Sequence, residues 1–319
     1  MSPAAIAILE RARRSEFANA LIEGLSRAPK RTPAKFFYDA AGSALFEGIT
    51  ELPEYYPTRT ELSILRDNAA EIASFIGSDA QLVEFGAGAL RKVRILFDAM
   101  VKPRGYVPID ISGDFLLQVA ETLEAEYPHI CVNPVVADFT KPIKLGPLEC
   151  TAMHRVGFFP GSTIGNFTRP EAVSFLKNAR QTLDNGPLMI GVDLVKDPAI
   201  LHAAYNDAAG VTAAFNKNLL VRANRELDAG FDIDAFDHYA PYNPVAQRVE
   251  MYLIAKSRQR VGLAGKTITF AQGEAVHTED SHKYTLESFR AVAAEAGYAQ
   301  RKVWTDPEAL FSVQWLEAV

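Results

Sequence analysis

Cysteine is scarce: the 319 residues contain two, Cys131 and Cys150, without ligand-type spacing. That excludes a disulfide-dense scaffold and a cysteine-built zinc site, and the pair reads as two ordinary core thiols in a reducing compartment. Basic charge is not in excess either. A net charge of −6 argues against a nucleic-acid partner and leaves small molecules as the expected ligands. No run of about 18 apolar residues occurs, so no membrane span is expected. The opening stretch MSPAAIAILERARRSEFANALIEGL breaks its apolar residues with charges every few positions. It reads as an amphipathic helix and not as a signal peptide. A cytoplasmic monomer is the resulting expectation. With 48% hydrophobic and 23% charged residues, the composition is that of a soluble globular enzyme.

From Asp79 onward, short β-rich runs alternate with helical stretches, the pattern of a parallel sheet covered by helices. Five strands are expected, at 80–85, 105–110, 129–137, 154–160 and 187–195, with helices near 91–102, 113–126 and 169–184. After Val195 the pattern changes. A long helical stretch from Pro198 to Leu227 precedes segments whose apolar residues alternate as in antiparallel strands. A helix resumes from Tyr284 to Glu295, and YAQRKVWT and LFSVQWLEAV follow as a candidate hairpin on the sheet edge. The inferred domains are 60–196 with 284–319, and 1–59 with 197–283.

In such a sheet, ligands bind at the carboxyl ends of the strands. LVEFGAGALRK, Leu82 to Lys92, supplies Glu84, Gly86 and Gly88 at the first strand end. Asp110 ends the second strand, where an acid accepts ribose hydroxyls, and Asp138 with Phe139 ends the third. Arg91 occupies the position where a nicotinamide-dinucleotide turn needs its third glycine. The ordered set Glu84, Gly86, Gly88, Asp110 and Asp138 instead suits S-adenosylmethionine, which carries no phosphate, with Lys92 placed for the methionyl carboxylate. For Lys92 a solvated lysine, and for Phe139 a core aromatic, are the competing readings. His277 and His282, five apart on a strand-like segment, face opposite sides, so no metal site is expected.

The remaining motifs are KFFYDAAGSALFEGITELPEYYPTRTE, FFPGSTIGNF, VDLVKDP, YNDAAGVTAAFN and TEDSHKY. Through them the chain resembles the L-histidine Nα-methyltransferases that open ergothioneine biosynthesis, from about Lys35 to the C-terminus. The resemblance implies a class I, Rossmann-like S-adenosylmethionine-dependent methyltransferase core with a second α+β substrate-binding domain. It also implies trimethylation of the α-amino group of histidine to hercynine. Carried over by position, it implies cofactor contacts at Gly86, Lys92, Asp110, Asp138 and Phe139. For histidine it implies Tyr55, Asn166, Tyr205, Glu279 and Ser281, with Tyr38, Phe46, Gly161, Thr163, Thr212 and Met251 around the pocket; Tyr38, or a water held by Thr163 and Thr212, is the candidate to relay the amine proton. Without the resemblance, Tyr38, Phe46 and Tyr55 read as core aromatics, Asn166 as a loop cap, Tyr205 and Met251 as packing residues, and the function as small-molecule methylation. An N-methyltransferase acting on another amino acid or amine is the alternative.

Overall fold

A computed structural model describes residues 3–148 and 150–319. The chain divides into two compact units, residues 56–197 with 282–319, and residues 1–55 with 198–281.

The larger unit is built on an eight-stranded sheet. From one edge its order is Tyr298–Thr305, Phe311–Ala318, Leu188–Asp193, His154–Phe159, Ala80–Phe85, Gly105–Asp110 and Cys131–Val132, with Val135–Val136 also pairing with Gly105–Asp110. All neighbours from Leu188–Asp193 onward run parallel, while the C-terminal hairpin joins antiparallel. The strands are short, apolar runs because both faces are covered. Leu82, Tyr106, Phe158, Met189 and Trp315 turn to one face, where they meet Ile64, Leu65, Val93, Leu96 and Leu123 from helices. Their neighbours Val83, Val107, Phe159, Ile190 and Leu316 turn to the other, against Phe175, Leu176, Phe289 and Val292. The chain runs outward from Ala80–Phe85 through Gly105–Asp110 and then returns to place His154–Phe159 on the opposite side. Strand order therefore reverses at Ala80–Phe85, and the crevice of a doubly wound sheet opens at its carboxyl end.

Two expectations are corrected in this unit. The strand expected at 129–137 is two short pieces, since the Asn133–Pro134 step interrupts pairing at the sheet edge. The cysteines are not separate core thiols. Cys131 and Cys150 form a disulfide, with Cα atoms 6.3 Å apart. Cys131 sits on the edge strand, and the chain after it folds back to bring Cys150, in an exposed turn, alongside. The cysteines therefore no longer argue for a reducing compartment.

In the smaller unit, Lys30–Arg31, Ala275–His282, Arg248–Ala255 and Phe236–Tyr239 form a sheet in that order, with Tyr242–Asn243 also on Arg248–Ala255. A separate hairpin pairs Gln259–Leu263 with Lys266–Phe270. Ala264 and Gly265 join its strands with φ of 46° and 81°, the left-handed pair that a tight two-residue hairpin turn requires. The N-terminal helix spans Pro3–Leu25; within its described side chains Phe17, Leu21 and Leu25 are buried, one stripe at four-residue spacing. Among the described residues no helix is long and apolar enough to cross a membrane.

The helix expected from Pro198 to Leu227 is two helices, Pro198–Tyr205 and Val211–Leu227. The break lies inside YNDAAGVTAAFN. Gly210 takes φ +74°, and the Asp207 carboxylate accepts from the backbone N–H groups of Val211 and Thr212, both at 2.8 Å. Asp207 thereby satisfies amides that the second helix leaves unpaired at its start. Much of that motif is accordingly spent on chain direction. Asp207→Ala is expected to lower unfolding free energy by about 1–2 kcal/mol, measured by denaturant titration.

Candidate active site

The carboxyl end of Ala80–Phe85 carries Gly86 at φ +73° and an open position at Gly88, where an added Cβ would meet nothing within 4 Å. The backbone N–H groups of Gly86 and Ala87 both donate to the carbonyl of Ile109, tying the turn to the neighbouring strand end. A Cβ on Gly86 would lie 3.3 Å from the Phe139 ring, so glycine lets that ring approach the turn. Phe139 also packs edge-on against Phe159 and Phe175 and so belongs to the core as well. Asp110 ends its strand half-buried, with Oδ1 accepting from the Ser112 N–H at 2.7 Å. Asp138 accepts from the Thr140 N–H at 3.1 Å. Two carboxylates on successive strand ends, a spacious glycine and an aromatic ring fit a nucleoside ligand. The nearby cation is already matched: Lys92 pairs with Glu61 at 2.5 Å. This donor set suits a sulfonium nucleoside better than a pyrophosphate.

Glu61 escaped the sequence reading. It lies on the helix Tyr56–Asp67, whose buried positions include Tyr56, Pro57, Thr60, Glu61, Ile64 and Leu65. A carboxylate on such a stripe was the legible signal, because a buried acid needs partners. Glu61 has them in Lys92 and in the Gly161 N–H, which donates to its two oxygens at 3.0 and 2.9 Å. The loop PGSTIGN is shaped around these bonds. Gly161 takes φ +77° and Ser162 φ +55°, and Thr163–Asn166 is one 3-10 turn that carries Asn166. The imidazole Nδ1 of His282 lies 2.9 Å from the Gly165 carbonyl. At Gly165 a Cβ would come 2.8 Å from the carbonyl oxygen of His282, so the chain must be bare there.

The smaller unit gathers the aromatic candidates. Tyr38 and Phe46 meet edge-on at 5.8 Å, Phe46 and Tyr55 at 6.3 Å, and Tyr55 and Tyr205 at 6.4 Å. Phe215, absent from the sequence reading, contacts both Tyr38 and Phe46 and completes the cluster. The Tyr205 hydroxyl is 2.7 Å from the Ser281 hydroxyl. Glu279 and Ser281 lie two apart on the strand Ala275–His282, both buried, whereas Asp280 between them bonds His277 and Arg248. Behind this strand, the Thr278 hydroxyl donates to the Met251 carbonyl at 3.0 Å and to Asn216 at 2.8 Å. Asn216 in turn donates to His238 Nδ1, and His238 Nε2 lies 2.8 Å from the Tyr205 carbonyl. Those partners require the Nε2–H tautomer. Burial lowers the His238 pKa, which favours that neutral form. His238 thus braces the backbone of Tyr205, a role its isolated position in the sequence did not reveal.

The parallel doubly wound sheet, with its crevice at the end of Ala80–Phe85, places the larger unit in the Rossmann-like class. The family model described as "Histidine-specific methyltransferase, SAM-dependent" matches residues 17–318, and the chain belongs to that family. It is 46% identical over 296 residues to histidine N-alpha-methyltransferase of Mycolicibacterium smegmatis, covering 91% of each chain. The corresponding protein of Mycobacterium tuberculosis is 43% identical over 290 residues, 89% of each chain. Ergothioneine biosynthesis protein 1 of Neurospora crassa is 32% identical over 302 residues, which are 87% of this chain and 32% of that longer protein.

Glu84, the acid before the glycine turn, lies in the core and accepts a short hydrogen bond from the Tyr106 hydroxyl. Burial pushes its carboxyl up to about 7, with the Tyr106 bond and Lys92 opposing. A carboxyl raised in the folded state favours folding while protonated. That contribution is fully present below the ordinary value of 4.5 and is lost as pH rises through about 7. Between pH 4.5 and 8 its loss should remove roughly 3 kcal/mol of stability, and Glu84→Gln should flatten that decline. Denaturant midpoints of both proteins across this range provide the check.

Proposed function

We propose that the protein transfers methyl groups from S-adenosylmethionine to the α-amino nitrogen of L-histidine, giving hercynine, the first step of ergothioneine biosynthesis. Family membership supports methyl transfer to histidine. The observation that carries the substrate assignment is the buried carboxylate of Glu279 beside Ser281, whose hydroxyl is bonded to Tyr205. A carboxylate and a hydroxyl on one strand suit the two nitrogens of an imidazole, one accepting and one sharing a proton. An apolar ring has no nitrogen to offer either group a hydrogen bond. Tyr55 and Phe46 supply faces for the ring and for the growing methylammonium, and Met251 fills the strand behind. Gly161 and Asn166, on the PGSTIGN loop, are assigned to the amino acid as well. The protein is taken to act as a cytoplasmic monomer on these small molecules.

S-adenosylmethionine supplies an electrophilic methyl group. The chain's own residues must hold it, at Gly86, Lys92, Asp110, Asp138 and Phe139, and must present a neutral amine in line with it. The amine lone pair forms the new N–C bond as the C–S bond breaks, and its proton leaves before each further transfer. An α-amino group, with a reference pKa of roughly 8, is largely protonated at neutral pH, so proton removal is part of the work. Tyr38, half-buried against Phe46 and Phe215, is assigned to relay that proton to water.

Product mass after incubation with each of the twenty amino acids tests the substrate: trimethylated histidine is expected, and a different methylated amino acid would replace histidine. Asp110→Asn should weaken S-adenosylhomocysteine by roughly 1.5–3 kcal/mol and leave histidine affinity nearly unchanged, as calorimetry can read, because it loses a charge-assisted bond to ribose. Glu279→Ala should do the reverse, lowering histidine affinity about 10- to 150-fold. It should also narrow the preference for histidine over tryptophan in direct competition; an unchanged ratio would put the imidazole reader elsewhere.

A further inference from the structure

Among the charged residues of the motifs VDLVKDP and TEDSHKY that the chemistry above does not use are Asp193, Lys196 and Lys283. The structure buries all three together. The Asp193 side chain is 1% exposed, that of Lys196 4% and that of Lys283 0%. Asp193 closes the strand Leu188–Asp193 and receives Lys196 Nζ at 2.5 Å on one oxygen and Lys283 Nζ at 2.7 Å on the other. The Tyr56 hydroxyl donates to the same carboxylate, 2.8 Å from each oxygen, and accepts from Lys196 at 2.6 Å. The Lys196 ammonium also stands 4.4 Å from the centre of the Tyr56 ring. Burial pushes the Asp193 carboxyl up, but Lys283 and Lys196 outweigh it and hold it below the ordinary carboxylate range. Burial draws Lys196 down to about 8 against the pull of Asp193.

The backbone repeats the junction. The Tyr284 N–H donates to the Asp193 carbonyl and the Val195 N–H to the Tyr284 carbonyl, both at 3.0 Å. The Asp193 N–H donates to the Ser162 hydroxyl at 2.9 Å, on the loop that carries Asn166. A buried ion cluster of this kind is weak evidence for stability, since desolvating three charges costs much of what their attraction returns. Its position in the chain is more informative. The polypeptide passes from one unit to the other after Tyr55, after Asp197 and after Ser281. Tyr56, Lys196 and Lys283 lie one or two residues from those three points, and all are bonded to Asp193. Two of the residues assigned to histidine, Tyr55 and Ser281, are Tyr56's neighbour and Lys283's neighbour but one.

We infer that the Asp193 cluster is a positioning device for the amino-acid site: it holds the backbone next to Tyr55 and Ser281 and so sets how those two side chains are held. Tyr56, Asp193, Lys196 and Lys283 act as positioning residues. The inference rests on histidine being the substrate. The geometry makes Tyr56 the most telling site, because one hydroxyl bonds both the carboxylate and an ammonium.

The test is Tyr56→Phe, which keeps the ring and removes that hydroxyl, with L-histidine and S-adenosylhomocysteine titrated separately by calorimetry. Histidine affinity is expected to fall on the order of tenfold to a hundredfold, the scale of a misplaced binding group, while S-adenosylhomocysteine affinity holds. Lys196→Arg, which retains the charge, should recover part of the histidine affinity lost in Lys196→Met. This pair is read by itself should Tyr56→Phe fail to fold. Unchanged histidine affinity, an equal loss for both ligands, or no difference between the arginine and methionine variants would overturn the inference and mark the cluster as purely structural. Wild-type protein that binds S-adenosylhomocysteine but no histidine would instead overturn the substrate assignment on which it rests.

Discussion

The double burial of one parallel sheet is the constraint from which the rest follows. Leu82 and Val83, Tyr106 and Val107, Phe158 and Phe159 point in turn to opposite faces, and helices cover both. Neither face is left for a ligand, so polar chemistry is driven to the strand ends. Because the chain reverses its direction of travel across the sheet at Ala80–Phe85, the strand ends part there, and the glycine turn of residues 86–88 occupies the opening. Gly88 faces open space, whereas Gly86 admits the Phe139 ring, which a side chain there would crowd.

Crowding polar groups at the edge of a dry core raises a second problem, which the chain solves by matching charges before any ligand arrives. Glu61, fully buried, takes Lys92 and the Gly161 N–H; Asp193 takes two lysines and a tyrosine. Each pairing also joins segments far apart in sequence. Glu61 and Gly161 are 100 residues apart and Tyr56 and Asp193 are 137 apart. Such bonds are costly to break by halves, since the abandoned partner stays buried. They therefore specify loop geometry more than they add stability.

The smaller unit reaches order by a different route. Its aromatic rings, Tyr38, Phe46, Tyr55, Tyr205 and Phe215, pack in edge-to-face and tilted arrangements that leave hydroxyls at their margin. A line of neutral hydrogen bonds from Thr278 through Asn216 to His238 then fixes the backbone at Tyr205. The polar atoms of the strand Ala275–His282 are divided between its faces, with Asp280 sent to Arg248 and His277 and with Glu279 and Ser281 turned inward.

Local pattern was enough to locate most of the sheet elements. The strands at 80–85 and 105–110, the helix at 113–126 and the C-terminal hairpin follow from hydrophobic runs and periodicity, because burial on a face is a property of neighbouring residues. Glycines at 86 and 88 and acids at 110 and 138 were legible for a similar reason: they stand at strand ends, which local pattern locates. Partnership was not legible. Nothing in the spacing joins Cys131 to Cys150, Glu61 to Lys92, His238 to Tyr205, or Asp193 to Tyr56, Lys196 and Lys283. Those pairings exist only after the sheet order is set, when strand ends and loops from distant parts of the chain come within hydrogen-bonding distance. The sequence alone determined which apolar runs become strands and helices; the tertiary structure decided which charges are buried and which share each buried place, because a hydrogen bond depends on distance in space and no periodicity encodes it.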